Sequence, residues 1–494
     1  MEYTTLAAVD LGSNSFHLAI GRVVDDQVYP LDSLKETVRL GAGLGEDKRL
    51  DAASQERALA TLKQFSERIR GMPREAVRVV GTNTLRVAKN APDFLARAEE
   101  TLGFPIEIIS GREEARLVYQ GVVHSLPLTG HNRLVVDIGG GSTEFIIGVK
   151  LRPKVMDSLY MGCVSYTRRF FADGHVDKKS MRQAELAARQ EVQTISVRYE
   201  KTGWKEAVGS SGTARSLAEV IQANGHSRQG ITAKGLEWLR EEMLRAGDLK
   251  KLALAGLREE RVAVLAGGAA IMSAVFRELG LEEMSIAEGA LRQGVLWDLL
   301  GRVHHRDIRE VTVEQLVKRY HVDLVQAERV SALARNLFRQ LEPGKDEGTF
   351  QRSRFLEWGA KLHEVGISIS PGTYHKHSAY ILTWADMPGF SRLEQNRLAS
   401  LVVAQRGKLD KLDLAIGSDP HLATKVFCLR LAVIFYRSRR TLKIPGLRVS
   451  MRPKGFRLSL ERRWLDDNSL VATALDHESE LWKSVGMHLD IEAD

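Results

Sequence analysis

One short pattern occurs twice in this chain, and the recurrence restricts the fold more than any other feature. Residues 7–23 read AAVDLGSNSFHLAIGRV and residues 134–149 read LVVDIGGGSTEFIIGV. An offset of 127 residues superimposes Val9 on Val136, Asp10 on Asp137, Gly12 on Gly139, Ser15 on Ser142 and Gly21 on Gly148. Each copy is an apolar run ending in an aspartate, then a small-residue turn, then a second apolar run, which is the pattern of a β-hairpin. Self-similarity of this kind implies two related halves. If each half presents its loop at the end of its sheet, the two loops can face each other and hold one polyphosphate chain between them.

The second copy states the chemistry more openly. Gly139, Gly140 and Gly141 have no Cβ, so successive backbone N–H groups can crowd onto an anion, and Ser142 and Thr143 add hydroxyl donors. Asp137 ends the first strand and Glu144 begins the second, so both carboxylates flank the place where a divalent cation or an attacking water would sit. A tight hairpin with polar ends is the plainer alternative.

Between the copies, strand-like alternation is expected at 28–34 and around 37–40, and a helix over 52–69 with Ala58, Leu59, Leu62, Phe65 and Ile69 on one face. Residues 77–80 read as a buried strand and residues 81–86, GTNTLR, as the start of a helix capped by Thr82 or Asn83. Arg86 is then either an exposed helix-face arginine or a fork within reach of a phosphate. After a strand at 106–109, Ser110 and Glu113 have capping-box spacing, which ties the Glu113 side chain to the helix N-terminus. Glu114 is left as a general base for water or as an acid that favours the helix dipole. Beyond a hinge at 125–130 and the second hairpin, a long polar helix covers 178–201, and a strand at 207–208 enters the GSSGT turn at 209–213. The helix that follows has a phosphate-friendly N-terminus. Gly267-Gly268 and the AEGALRQG run at 287–294 let helices approach closely, for which packing is the simpler reason.

Composition narrows the class. A chain of 494 residues with 27% charged residues and 6% aromatics reads as globular, with room for several domains. Cys163 and Cys428 stand far apart without metal-ligand spacing, which suits a reducing compartment. No apolar run approaches a membrane span, and the N-terminus carries an acid where a signal peptide would be basic, so a cytoplasmic location is expected. The formal charge of +8 is concentrated: residues 351–450 hold sixteen Lys plus Arg against seven Asp plus Glu. Such a surplus attracts nucleic acid, an anionic membrane surface or inorganic polyanion, or is simply a solvated basic face.

Taken together, AAVDLGSNSFHL, VVGTNTLR, IEIISGREEARLVYQGV, LVVDIGGGSTE, MGCVS, VGSSGTA and AEGALRQGV, in this order and spacing, closely resemble the exopolyphosphatase and guanosine-pentaphosphate phosphatase family. That family belongs to the acetate and sugar kinase, heat-shock chaperone and actin superfamily. The resemblance implies an α/β fold of duplicated ribonuclease-H-like, actin-like domains, followed by a helical HD-like domain and a small α/β appendage. The corresponding boundaries are 1–124, 125–303, 304–446 and 447–494. It also implies removal of terminal orthophosphate with Mg²⁺ and a glutamate-activated water. By motif, the base falls on Glu114. Asp137 and Glu144 match the other catalytic acids and metal ligands, with Asp10 a further candidate ligand. Asn14, Ser15, Arg86, Gly140, Gly141 and Ser142 match phosphate-binding positions, joined by Gly209, Ser211, Gly212 and Thr213. A homodimer with a polymer channel is implied as well, with no nucleic-acid partner and peripheral membrane association left open.

Past Arg302 the chain turns helical, with 304–306 as a linker and helices expected at 311–319, 324–341 and 355–365. Residues 362–366 and 375–382 resemble the metal-dependent HD phosphohydrolases. However, the defining His-Asp pair is His363-Glu364 here, which points to a binding scaffold without a second catalytic metal. Lys361, His375, Lys376, His377, Arg406, Lys408, Lys411, Arg437, Arg439 and Arg440 are the candidates for a polyanion track. Residues 447–494 read as two strands and a helix carrying Leu475, Leu481 and Trp482.

Two substrates compete within the resemblance: inorganic polyphosphate, shortened from an end, and guanosine pentaphosphate, converted to the tetraphosphate. GGGSTE, MGCVS, LHEVG and KHSAYIL look more like the polyphosphate enzymes, the guanosine-specific ones being expected to carry alanine at position 141. A nucleotide-dependent kinase or chaperone of the same superfamily and a non-catalytic polyanion-binding regulator are the alternatives from other classes. The presence of Glu114, Asp137 and Glu144 beside both loops ranks them below a hydrolase.

Overall fold

A computed structural model describes residues 3–24, 27–303, 307–409 and 421–493. The expected linker at 304–306 lies outside the described residues. The chain divides into two compact units, Met1–Ile308 and Arg309–Asp494.

The first unit is built on two sheets of the same plan. Strands β1 (Thr5–Leu11), β2 (Phe16–Val24), β3 (Gln27–Glu36), β4 (Val77–Gly81) and β5 (Ile106–Ile108) form a five-stranded sheet in the order β3-β2-β1-β4-β5. Strands β6 (Arg133–Ile138), β7 (Thr143–Val149), β8 (Arg152–Leu159), β9 (Glu206–Ser210), β10 (Ile231–Thr232) and β11 (Glu283–Ile286) form the second, in the order β10-β11-β9-β6-β7-β8. In both, an antiparallel meander of three strands is joined by parallel strands on the far side of its first member. This is the duplicated α/β architecture of actin-like proteins. The repeat extends to a detail: the β2–β3 register shifts between Ile20 and Gly21, and the β7–β8 register shifts between Ile147 and Gly148, again 127 residues apart. A bulge re-aims the strand beyond it, so both hairpins are bent at equivalent points.

Helices cover the sheets with apolar faces. The helix Ala52–Ile69 buries Ala58, Leu62, Phe65 and Ile69, as the spacing predicts, and Asp51 caps it by accepting from Ser54 N at 2.6 Å. The expected strand near 37–40 is instead a 3-10 turn, Leu40–Gly43, because the backbone amides of Arg39 and Gly41 turn to the carbonyls of Asn14 and Ser13 rather than extending β3. The glycines of the 287–294 run serve packing. A Cβ on Gly121 would collide with Ala290 O and one on Gly294 with Leu117 O, so the helices Gly111–Ser125 and Leu291–Val303 cross backbone to backbone.

The second unit is mainly helical, with a three-stranded sheet of β12 (Arg448–Arg452), β13 (Gly455–Leu460) and β14 (His488–Ala493). The third of the expected helices runs Glu347–Leu362, earlier than the spacing suggests. Phe427 of the helix Leu422–Phe435 stacks on Phe456 of β13 at 4.0 Å, and Trp482 closes edge-on against both. The small sheet therefore shares one core with the helices. Among the described residues no helix is long and apolar enough to cross a membrane.

Candidate active site

In the first unit the two hairpin loops meet. A Cβ on Gly140 would lie 2.9 Å from Ser13 Cβ and 3.3 Å from Asn14 N, so the second loop is pressed against the first where only glycine fits. Around this contact a cleft is lined by both loops, by Asp10, Glu114, Asp137 and Glu144, and by Ser211, Gly212 and Thr213.

Each loop turns its carbonyls outward by the same device. Gly139 O accepts from Cys163 N at 2.9 Å, and Gly140 O accepts from Val164 N at 3.0 Å and Ser165 N at 3.1 Å. In the first loop, Ser13 O and Asn14 O accept from Gly41 N and Arg39 N, both at 2.7 Å. In a trans peptide the N–H points opposite to the preceding carbonyl. The N–H groups of Gly140 and Gly141, and of Asn14 and Ser15, are thereby turned away from these clamps, on residues that line the cleft. Gly162 permits the second clamp, since a Cβ there would strike the Gly140 carbonyl. Ser211, at the start of the helix Ser211–Ala223, holds φ at 84°, a left-handed conformation that non-glycine residues adopt rarely and usually where the surroundings impose it.

Four carboxylates share the cleft. Asp137 and Glu144 are direct cross-strand partners in the β6–β7 ladder, and Asp10 is the penultimate residue of β1. Glu114 is set in the first turn of Gly111–Ser125 by Ser110, whose hydroxyl accepts from Glu113 N at 3.2 Å. Among the described residues no capping box closes this helix. The Glu113 carboxylate turns inward to Arg116 Nε and Nη2, both at 2.8 Å, in a buried network with Arg78 and Asp298. Two guanidiniums offer it more than a helix-end amide. Thr82 likewise precedes the helix Asn83–Val87 without capping it, its hydroxyl donating instead to Leu11 O at 3.4 Å.

The acids raise one another. Burial, then the Glu114 and Asp137 charges, push Asp10 up to about 8 against the pull of Arg292. Burial and the Glu114 charge push Asp137 up to about 7. Glu144 is raised well above the ordinary carboxylate range by burial, Glu114 and Asp137, although Ser158 donates to it at 2.8 Å. Glu114 is raised by burial despite Arg86, whose guanidinium donates to it at 3.2 Å and to Ile109 O at 2.9 Å. Among the described residues Asp10 Oδ1 is buried without a hydrogen-bond partner. An all-oxygen acid set with an orphaned carboxylate oxygen fits a hard divalent cation. Among the described residues no three His, Cys, Asp or Glu side chains converge tightly enough to cage an ion alone. Mg²⁺, which keeps waters and substrate phosphates among its ligands, suits such a partial set.

Of the expected phosphate residues, Asn14, Ser15, Gly140, Gly141, Ser142, Ser211, Gly212 and Thr213 line the cleft. Arg86 and Gly209 do not. Arg86 is held by Glu114 and Ile109, and the Gly209 Cα faces Ala214, Met284 and Ile286, where close packing needs glycine. Sequence reasoning missed the cleft's cations, Lys35, Arg215, Arg261 and Arg292. Burial and then these charges hold His17 down to about 3, a neutral imidazole at the position equivalent to Glu144. Arg215 and Arg292 stand inside the GSSGTAR and AEGALRQG runs and are legible there; Arg261, from the helix Glu259–Glu278, carries no local signal.

The second unit sorts the polyanion candidates. Glu364 is bonded to Arg439, which also pairs with Asp323 at 3.0 Å, and His363 Nδ1 lies 2.6 Å from Ala360 O. Lys361 pairs with Glu357 at 2.9 Å, His377 contacts Thr373, and Arg406 lies over the Tyr374 ring at 5.8 Å. Lys376, Lys408, Arg437 and Arg440 accompany them on this unit, with His375, whose Nδ1 is enclosed without a partner. Lys411 lies outside the described residues.

Comparison with known proteins identifies the family. The model of the Ppx/GppA phosphatase family matches residues 19–303, and that of Ppx/GppA phosphatase domain III matches residues 308–479. Among solved structures, an exopolyphosphatase from Cytophaga hutchinsonii is similar at 25% identity and a TM-score of 0.55, covering 60% of this chain and 98% of that one. The Ppx-GppA enzyme of Aquifex aeolicus is similar at 25% identity and a TM-score of 0.50, covering 60% of this chain and 99% of that one.

Proposed function

The chain belongs to the Ppx/GppA phosphatase family, and from that premise we propose that it is an exopolyphosphatase, a phosphoanhydride hydrolase that removes terminal orthophosphate from inorganic polyphosphate. The observation that carries the reading is the meeting of four carboxylates with two phosphate-type loops in one cleft. The terminal phosphoryl group sits between the amides of Asn14 and Ser15 and those of Gly140 and Gly141, with the hydroxyls of Ser142 and Thr213 beside it. Water attacks phosphorus as Glu114 takes its proton; the new P–O bond forms while the bond to the shortened chain breaks. Raised by burial, Glu114 is a stronger base than a surface carboxylate, and Arg86 holds its orientation. Asp10, Asp137 and Glu144 would hold Mg²⁺. When bound, the cation neutralises charge on the phosphoryl oxygens and lets these acids ionise together. Lys35, Arg215, Arg261 and Arg292 offset the charge of the chain further out.

We favour polyphosphate over guanosine pentaphosphate because position 141 is glycine, where the guanosine-specific enzymes are expected to carry alanine; a Cβ here would lie 2.6 Å from Asn83 Oδ1 and displace that side chain. The basic excess of residues 351–450 also suits a polymer. We extend the proposal to the boundaries 1–124, 125–303, 304–446 and 447–494, a homodimer, a cytoplasmic setting, and a binding role for the HD-like region. Phosphate release with Mg²⁺ from long-chain polyphosphate and from guanosine pentaphosphate, at matched terminal-phosphate concentration, tests the reading. Faster release from polymer, reduced about a thousandfold or more by Glu114→Gln, is expected. Preference for the nucleotide would reassign the substrate, and undiminished release by Glu114→Gln would remove the base.

A further inference from the structure

Among the described residues, two buried polar side-chain atoms of this cleft lack a hydrogen-bond partner, and they are of opposite kinds. One is the acceptor Asp10 Oδ1; the other is the donor Asn83 Nδ2. Asn83 is only 7% exposed, opens the helix Asn83–Val87 and lines the cleft. It belongs to the first half of the unit yet is pressed against the loop of the second: a Cβ on Gly141 would fall 2.6 Å from its Oδ1 and 3.0 Å from its Cγ. Buried amide donors are almost always paired, so an unpaired one on a residue that lines the cleft points to a contact that a bound ligand completes.

We infer that Asn83 is a further substrate-binding residue whose Nδ2 donates to a non-bridging oxygen of the terminal phosphoryl group, and that the Asn83–Gly141 contact sets the position of that donor. The inference rests on the hydrolase reading. Its logic is one of complementarity. A ligand that satisfies Asn83 must bring an acceptor oxygen, and one that satisfies Asp10 must bring a proton or a cation. A phosphoryl group with an accompanying divalent cation brings both. Asn83 is neutral, so it adds geometry without charge. It reads where the oxygen lies in a cleft whose arginines read only that the ligand is anionic. Gly141 then has a second purpose besides presenting its amide, since any side chain there would displace the donor.

The test uses the full-length protein with Asn83→Ala, Asn83→Asp, Gly141→Ala and the Asn83→Ala/Gly141→Ala pair. Three quantities are read: kcat and KM for orthophosphate release from polyphosphate, affinity for polyphosphate and inorganic phosphate in a Glu114→Gln background, and the thermal midpoint without ligand. Asn83→Ala is expected to lower kcat/KM by about 100-fold, as loss of one preorganised donor does. Asn83→Asp, which swaps donor for anion, should lower it further. Affinity in the Glu114→Gln background should fall about tenfold. The ligand-free midpoint should stay unchanged or rise, because the substitution removes a buried unpaired amide. Gly141→Ala alone should impair release, and added to Asn83→Ala it should cost little more, because the group it displaces is already gone. Wild-type kcat/KM and wild-type affinity in Asn83→Ala would overturn the inference. So would a lowered midpoint with a matching loss of folded protein, which would make Asn83 structural. If the wild-type protein released no phosphate from either substrate, the hydrolase reading would fall, and the phosphate affinities with and without Asn83 would still decide what Asn83 does.

Discussion

The two hairpins of the first unit share their backbone and differ in their chemistry. Both carry an aspartate as the penultimate residue of their first strand, both shift register with the next strand at the same place, and both have two loop carbonyls tied outward by backbone amides. Across the strand from the aspartate, however, the second hairpin has Glu144 and the first has His17. The clamps also differ in origin: the N-terminus of the helix Cys163–Phe170 holds one loop, and the turn at Leu40–Gly43 holds the other. The two copies share what the proposed anion cradle is built from, which is backbone. They differ in the side chains that decide whether a cradle also handles protons and cations. The second copy took the acid, and the first took a histidine that burial, and then its cationic surroundings, keep neutral.

The largest expected effect sharpens that contrast. Glu144→Gln should lower orthophosphate release by about 100-fold or more, whereas His17→Gln should cost under about fivefold. Equal losses in the two variants would mean that the copies share the chemistry. Next in size is the effect of cation removal and pH. Asp10 and Asp137 have folded pKa values raised to about 8 and about 7 from an ordinary value near 4. Their protonated forms favour the folded state, so this stability is complete below pH 4 and is lost as pH rises through 7 to 8. In chelator-treated protein the thermal midpoint should therefore fall by several degrees between pH 6 and pH 9, and millimolar Mg²⁺ should restore it most at pH 9. A midpoint that is flat in pH after chelation would contradict the acid cluster. Chelation should also abolish phosphate release. The smallest effect concerns the bulges. Alanine at 148 would meet the Tyr119 ring and lie 2.8 Å from Arg152 O, whereas alanine at 21 would meet mainly the movable side chain of Val28. Gly148→Ala should destabilise by about 3 kcal/mol and Gly21→Ala by about 1 kcal/mol in denaturant unfolding. The reverse order would show the bulges to be packed differently from their repeat.

Much of the site is legible in the order of the residues. The 127-residue offset predicts both hairpins, and the spacing of Glu114 from Ser110 marks it as a carboxylate at a helix start. Where spacing misleads, the cause is competition between partners. Capping-box spacing says that Glu113 can reach the helix N-terminus, but Arg116 and Arg78 outcompete that amide once the helix Leu291–Val303 brings Asp298 beside them. Arg86 matches a phosphate-binding position by motif, yet its neighbour in space is Glu114, 28 residues on. Arg261 is invisible to such reasoning because nothing around it in the chain hints at a cleft; its helix crosses to the Gly212 turn only in three dimensions.

Local order along the chain determined the two hairpin loops by itself, because a strand closing on Asp-Leu or Asp-Ile followed by small residues has few conformations and the same one arises twice. It also determined that acids would lie close to the loop amides, since Asp137 and Glu144 are separated by only one turn. Tertiary structure alone decided which side chains neutralise one another and which are left unsatisfied. The energy of a buried charge depends on every group packed around it, wherever that group stands in the chain. The orphaned amide of Asn83 and the orphaned oxygen of Asp10 are properties of the assembled cleft, and no spacing in the sequence encodes them.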